Sequence, residues 1–217
     1  MNSSKLKAII FDLDGTLINS NEFHFQALKR TCKLAKINVT RKQVFLLYGE
    51  HTLMILSHLL SRKHFSKSTL LELRRIKREF AHDVLPSKSL IYPGIEKTLS
   101  LLEKRFKLAI ATGSNRQFIN EVLPEKFQNH FHAIISSNDY KKPKPNPEPL
   151  MKALKKLKIK KENALFVGDG LLDAQAAKNT KINFIGIKSG IATKKQLTVK
   201  TTLAVLKSVN ELSALLK

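Results

Sequence analysis

Cysteine is nearly absent from this chain: Cys32 stands alone, so no disulfide can form within it. No apolar run approaches the roughly 18 residues that cross a bilayer. Residues 1–7 lack the apolar stretch and small-residue cleavage site of an export signal. A cytoplasmic location with no membrane partner is the expectation. Acids are also scarce, with 17 Asp and Glu against 39 Lys and Arg, a net charge of +22. Such an excess raises the question of a nucleic-acid or membrane-surface partner. The lysines, however, are spread along the chain. In their densest run, residues 152–161, they interleave with Met151, Leu154, Leu157 and Ile159 at the spacing of an amphipathic helix. The charge is therefore read as solvated faces, with some steering of anionic ligands, and nucleic acid is not the expected partner.

Glycine and proline are missing from one region in particular. Between residues 20 and 90 only Gly49 and Pro86 occur. Apolar residues there recur at helical spacing: Phe25, Leu28, Cys32 and Ala35; Leu53, Leu56 and Leu60; Leu70, Leu73, Ile76 and Phe80. Ser68 and Thr69, followed by Glu72, mark one helix start. The stretch predicts an insert of four or so helices.

The remainder has a different texture. Short apolar runs at Ala8–Phe11, Lys107–Ala111, His132–Ile135, Ala164–Val167, Asn183–Ile187 and, more weakly, Thr202–Val205 read as strands. Helical patterns separate them, at Ile95–Arg105, Arg116–Phe127, from about Pro149 onward, Leu172–Lys178 and Ser208–Leu216. Four of the seven prolines fall within residues 141–149, which makes that segment a loop. Alternating strands and helices predict an α/β fold with a mostly parallel sheet and right-handed crossovers. At 217 residues, 42% of them hydrophobic, the chain can bury a sizeable core and carry an insert.

Polar clusters follow four of these strands: Asp12 and Asp14, Thr112, the lysines at 141–144, and Asp169 with Asp173. Ligands of open parallel sheets bind beyond the carboxyl ends of the strands, so the clusters can share one rim. Four carboxylates in a small site call for a cation, and oxygen-only ligands point to Mg²⁺. Thr112 offers a hydroxyl, Gly113 a backbone N–H that can approach a phosphate closely, and Lys142 a point charge. A hard dication, a lysine, a hydroxyl and free amides suit phosphoryl transfer.

Asp12-Leu13-Asp14-Gly15-Thr16-Leu17 after an apolar strand resembles the first motif of the haloacid dehalogenase-like superfamily, mostly phosphatases. Ala111-Thr112-Gly113, Lys142-Pro143-Lys144-Pro145 and Gly168-Asp169-Gly170-Leu171-Leu172-Asp173 resemble the second, third and fourth, in order. The resemblance is to the group of phosphoglycolate phosphatases and β-phosphoglucomutases. It implies a Rossmann-like core over residues 1–18 and 90–217, with a helical cap over 19–89. It also implies a phosphoric monoester hydrolase working through an aspartyl phosphate on Asp12, with Asp14 as general acid and base. Mg²⁺ would be held by Asp12, the Asp14 carbonyl and Asp169, with Asp173 in support. Thr112 and Lys142 would bind the phosphoryl group, and Gly113, Ser114 and His24 the substrate, a small phosphorylated metabolite. The protein is expected as a monomer or homodimer.

A β-phosphoglucomutase-like phosphomutase is the alternative activity. Relatives of that kind carry an arginine three residues after a cap glycine, where Gly49 here is followed by Thr52. Leu17-Ile18-Asn19-Ser20 departs from the usual Leu-x-Asp-Ser and lacks an acid near the cap hinge. A nucleic-acid-associated protein with a vestigial site is the third reading, and the intact acid set argues against it. The pair His130 and His132 is a weak metal pattern and is discounted.

Overall fold

The computed structural model describes residues 5–47, 50, 52–60, 65–83, 89–190 and 192–216. The chain divides into two compact units, Met1–Asn19 with Leu90–Lys217, and Ser20–Ser89. The first holds a six-stranded sheet formed by β1 (Ala8–Phe11), β2 (Lys107–Ala111), β3 (Ala133–Ile135), β4 (Ala164–Gly168), β5 (Asn183–Ile187) and β6 (Thr202–Leu206). The strand order is β3-β2-β1-β4-β5-β6, and every pairing is parallel. This is the Rossmann-like α/β architecture expected from the sequence.

The register follows from the apolar runs. Ile9 lies between Leu108 and Leu165, and Ile10 between Ala109 and Phe166. Every residue of β1 and β4 is buried, as both faces of a central parallel strand require. β6 pairs on one side only and is half-exposed along most of its length, which explains its weaker apolar signature. The helix Glu148–Leu157 packs on β1, β2 and β3, and the helix Leu171–Thr180 on β4 and β5.

The helices of this unit are α5 (Ile95–Leu102), α6 (Arg116–Val122), α7 (Glu125–Gln128), α8 (Glu148–Leu157), α9 (Leu171–Thr180), α10 (Lys194–Leu197) and α11 (Leu212–Leu215). Two expectations are corrected. The single helix read over Arg116–Phe127 is two, because Pro124 has no N–H to continue the first. In the basic helix α8 the buried stripe is Leu150, Ala153, Leu154 and Leu157. Met151 is half-exposed, since its 100° step from Leu150 carries it off that stripe. The lysines of α8 lie on the other faces, as amphipathic spacing requires.

The second unit holds α1 (Asn21–Leu34), α2 (Arg41–Phe45), α3 (Thr52–Leu59) and α4 (Lys67–Asp83). Helix α2 opens with a capping box in which Thr40 and Gln43 satisfy each other's backbone N–H. Helix α4 begins slightly before the expected start at Ser68 and Thr69: Ser66 Oγ accepts the Thr69 N–H at 3.1 Å. Arg75 pairs with Glu72 and Glu79 one turn to either side, which suits a solvated face. Phe25, Leu28, Cys32, Val44, Ile55, Leu56, Leu60 and Leu73 form the unit's own core. Gly49 and His51 of the cap comparison lie outside the described residues, as does Pro86; Thr52 is the first residue of α3.

Cys32 sits in that core, and burial pushes its thiol up to about 11. The thiolate is the reactive form, so the native protein should not react with Ellman's reagent at pH 8. One equivalent should react after unfolding in guanidinium. Rapid reaction without denaturant would contradict the packing of this unit.

Candidate active site

β1 and β4 are neighbours in the sheet but distant in sequence. From β1 the chain builds outward through β2 and β3, then crosses to β4 and continues to β5 and β6. The gap beyond the carboxyl ends of β1 and β4 is therefore a topological switch point. Asp12 follows β1 directly, and Asp169 follows the last residue of β4. Asp173, in the first turn of α9, joins them. Oxygens of these three buried carboxylates lie within 4.8 Å of one another.

The lysine at the cluster is Lys144, not Lys142. Lys144 is fully buried, and its Nζ donates to Asp12 Oδ1 and Asp173 Oδ1, each at 2.6 Å, and more weakly to the Ala111 carbonyl at 3.4 Å. Three donors thus meet three acceptors. Lys142 is exposed, and its backbone N–H donates to Glu148. The reason is register. The Lys-Pro-x-Pro pattern occurs twice in overlap, as Lys142-Pro143-Lys144-Pro145 and as Lys144-Pro145-Asn146-Pro147. The second copy abuts α8, and its lysine is the one the loop turns inward.

Asp14 lies on the same rim. Gly15 takes φ 78°, a left-handed angle that glycine adopts without steric cost, and the turn folds back on Leu13. Asp14 Oδ2 accepts from Ser114 Oγ at 2.6 Å and from Thr112 Oγ1 at 3.2 Å. Thr112 Oγ1 in turn accepts the Ser114 N–H at 3.0 Å. Thr112, Gly113 and Ser114 are thus brought to the rim from the end of β2, with the Ser114 hydroxyl engaged by Asp14. Asp173 uses Oδ1 for Lys144 and Oδ2 for the Gly170 N–H at 2.9 Å, closing the N-terminus of α9. His24 belongs to the other unit, on α1. Its Nδ1 stands 3.2 Å from Lys77 Nζ of α4.

Two contributors carried no distinct signal. Tyr140, just before the proline loop, donates its hydroxyl to the Thr112 carbonyl at 2.9 Å. Thr16, in the turn after β1, donates to Asp169 Oδ1 at 2.8 Å. Only contacts separated by 28 and 153 residues reveal them.

The electrostatics are unbalanced. Burial first, then Asp173, pushes Asp12 up to about 8, against the pull of Lys144. Asp169 is raised by burial and then by Asp12 and Asp173. Burial works to lower Lys144, but the two carboxylates outweigh it and hold the ammonium charged. Three buried carboxylates with one ammonium are short of positive charge. An all-oxygen set with this deficit fits a hard divalent cation.

A model of the haloacid dehalogenase-like hydrolase family matches residues 9–187. The chain belongs to that family and is an enzyme of the hydrolase class. The pyrophosphatase PpaX of Bacillus anthracis is 32% identical over 180 residues, covering 81% of this chain and 80% of that protein. A hydrolase from Pseudomonas syringae superposes with TM-score 0.84 at 25% identity, covering 97% of each chain. A β-phosphoglucomutase from Clostridium difficile shares the fold, with TM-score 0.84 at 21% identity over 95% of this chain and 93% of that one.

The placement of the two lysines is testable without an activity assay. Lys144→Met should destabilise the protein by about 3–5 kcal/mol, because it strands buried carboxylates. Lys142→Met should stay within about 0.5 kcal/mol of the parent. Urea denaturation measures both, and equal losses would contradict the geometry.

Proposed function

We propose that the chain is a Mg²⁺-dependent phosphatase of the cytoplasm. It would transfer the phosphoryl group of a small phosphate monoester to Asp12 and then to water. The observation that carries this reading is the contrast between two acids on one turn. Asp12 is paired with the Lys144 ammonium, while Asp14 is held by two hydroxyls at the end of β2. A cation beside Asp12 would offset the burial that raises it and keep it ionised for attack, while Asp14 would give and take a proton.

In the first step an Asp12 carboxylate oxygen bonds to phosphorus and the ester P–O bond breaks. Asp14 protonates the departing oxygen. In the second, Asp14 takes a proton from water, whose oxygen attacks the phosphorus. The acyl phosphate bond then breaks, returning Asp12 and releasing inorganic phosphate. In this reading the Thr112 hydroxyl and the Gly113 amide would hold phosphoryl oxygens, and Lys144 offsets negative charge beside Asp12. Asp12, Asp169 and the Asp14 carbonyl would hold Mg²⁺, with Asp173 in support through Lys144. When bound, the metal supplies neutralisation of the anionic oxygens that must approach one another. Residues 20–89 act as the cap in this reading, and His24 as its contact to substrate.

Two features bear on the acceptor and the substrate. The position matching the mutase arginine is Thr52, which favours water over a second sugar phosphate. The relative at 32% identity bears the name pyrophosphatase, so pyrophosphate competes with phosphoglycolate and sugar phosphates as the substrate.

Asp12→Asn should lower turnover at least about a thousandfold, because no other group can form the covalent intermediate. EDTA should abolish activity and Mg²⁺ restore it; full activity after metal removal would overturn the reading. On a panel of phosphoglycolate, β-glucose 1-phosphate and pyrophosphate, a monoester should show the highest kcat/KM. A preference for pyrophosphate would move the assignment to the anhydride. Rapid isomerisation of β-glucose 1-phosphate, given a trace of the 1,6-bisphosphate and without phosphate release, would make the protein a mutase.

A further inference from the structure

Asp169 is held from both sides of its strand, and the second hold comes from a residue with no functional group. In the sheet β4 lies between β1 and β5. Thr16, in the turn after β1, is buried and donates to Asp169 Oδ1 at 2.8 Å. Gly190, beyond β5, faces the other oxygen. A Cβ on Gly190 would meet Asp169 Oδ2 at 1.8 Å, Cγ at 2.7 Å and Cβ at 2.9 Å. Backbone geometry does not demand glycine there, because the left-handed glycines among the described residues are Gly15 and Gly94. What excludes a side chain is the Asp169 carboxylate itself.

The two holds are also joined. Ser189 Oγ donates to the Gly15 carbonyl at 2.5 Å, tying the segment after β5 to the turn after β1, across the end of β4. That tie opposes retreat of the Gly190 backbone from Asp169. Rotation of the carboxylate alone does not make room for a methyl either, since Asp169 Cβ would still lie at 2.9 Å.

We propose that Gly190 and Thr16 are positioning residues for the cation site: together they fix the orientation in which Asp169 presents its carboxylate. Thr16 fixes Oδ1 by a hydrogen bond, and Gly190 admits Oδ2 because it has no side chain. The inference rests on the reading of Asp169 as a ligand of a divalent cation. Groups that orient a metal ligand typically contribute about 10–100-fold to metal affinity.

The test uses the full chain and Mn²⁺ as probe, with free Mn²⁺ followed by electron paramagnetic resonance and the melting temperature of the metal-free protein recorded alongside. Gly190→Ala and Thr16→Val should each raise the Mn²⁺ dissociation constant at least about tenfold. Thr16→Ser, which restores the hydroxyl, should bind within about threefold of the parent. A purely structural role would lower the melting temperature and leave Mn²⁺ affinity unchanged, and that outcome overturns the proposal. If Gly190→Ala fails to fold, Thr16→Val and Thr16→Ser decide by the same criterion. If the parent itself binds no Mn²⁺, the cation reading fails and the inference falls with it. If the parent binds and both variants match it within twofold, the inference alone is wrong.

Discussion

Too little positive charge in a buried place is the constraint on which this molecule turns. Asp12, Asp169 and Asp173 lie within a few ångströms of one another, and the ammonium among them is that of Lys144. Burial raises the cost of ionising Asp12 and Asp169, and repulsion from the neighbouring carboxylates adds to it. A cluster of this kind at a strand end has the oxygen donors that suit a hard cation. A protein without that function would be more stable with apolar residues in the same places.

The sheet makes this arrangement possible. β1 and β4 are the two central strands, buried on both faces, and they end side by side at the point where the chain reverses its direction of growth. Rigid, fully packed strands hold the residues that follow them to small displacements. Asp12 and Asp169 therefore inherit the precision of the core. Asp173 serves twice, receiving Lys144 on one oxygen and the Gly170 N–H at the start of α9 on the other. The helix start and the site are thus parts of one hydrogen-bonded network. Tyr140 extends the network by tying the loop that carries Lys144 to the end of β2.

The large positive charge of the chain is a separate matter. Among the described residues, Lys77 and Lys144 are the buried bases, so the excess is carried at the surface. On α8, for example, a buried leucine stripe leaves the lysines on the other faces. No described helix is long and apolar enough to cross a membrane.

Sequence alone determined the elements and the acids. Six apolar runs became six strands because a buried parallel strand must be apolar on both faces, a pattern that is local and contiguous. Asp12, Asp14, Asp169 and Asp173 stood out because acids in the few residues after such runs have few tolerable places other than a rim. What sequence could not decide was which of three neighbouring lysines turns inward. The Lys-Pro-x-Pro pattern fits Lys142 and Lys144 equally well, and only the path of the loop into α8 sets Lys144 between two carboxylates. It could not reveal Thr16, Tyr140 or Gly190 as parts of the site, because a hydroxyl or a missing Cβ acquires meaning only from its neighbour in space. Those neighbours are separated in sequence by 153 residues for Thr16 and 28 for Tyr140, and by a strand crossing for Gly190. Tertiary structure decided them, since the contacts exist only once the parallel strands are side by side.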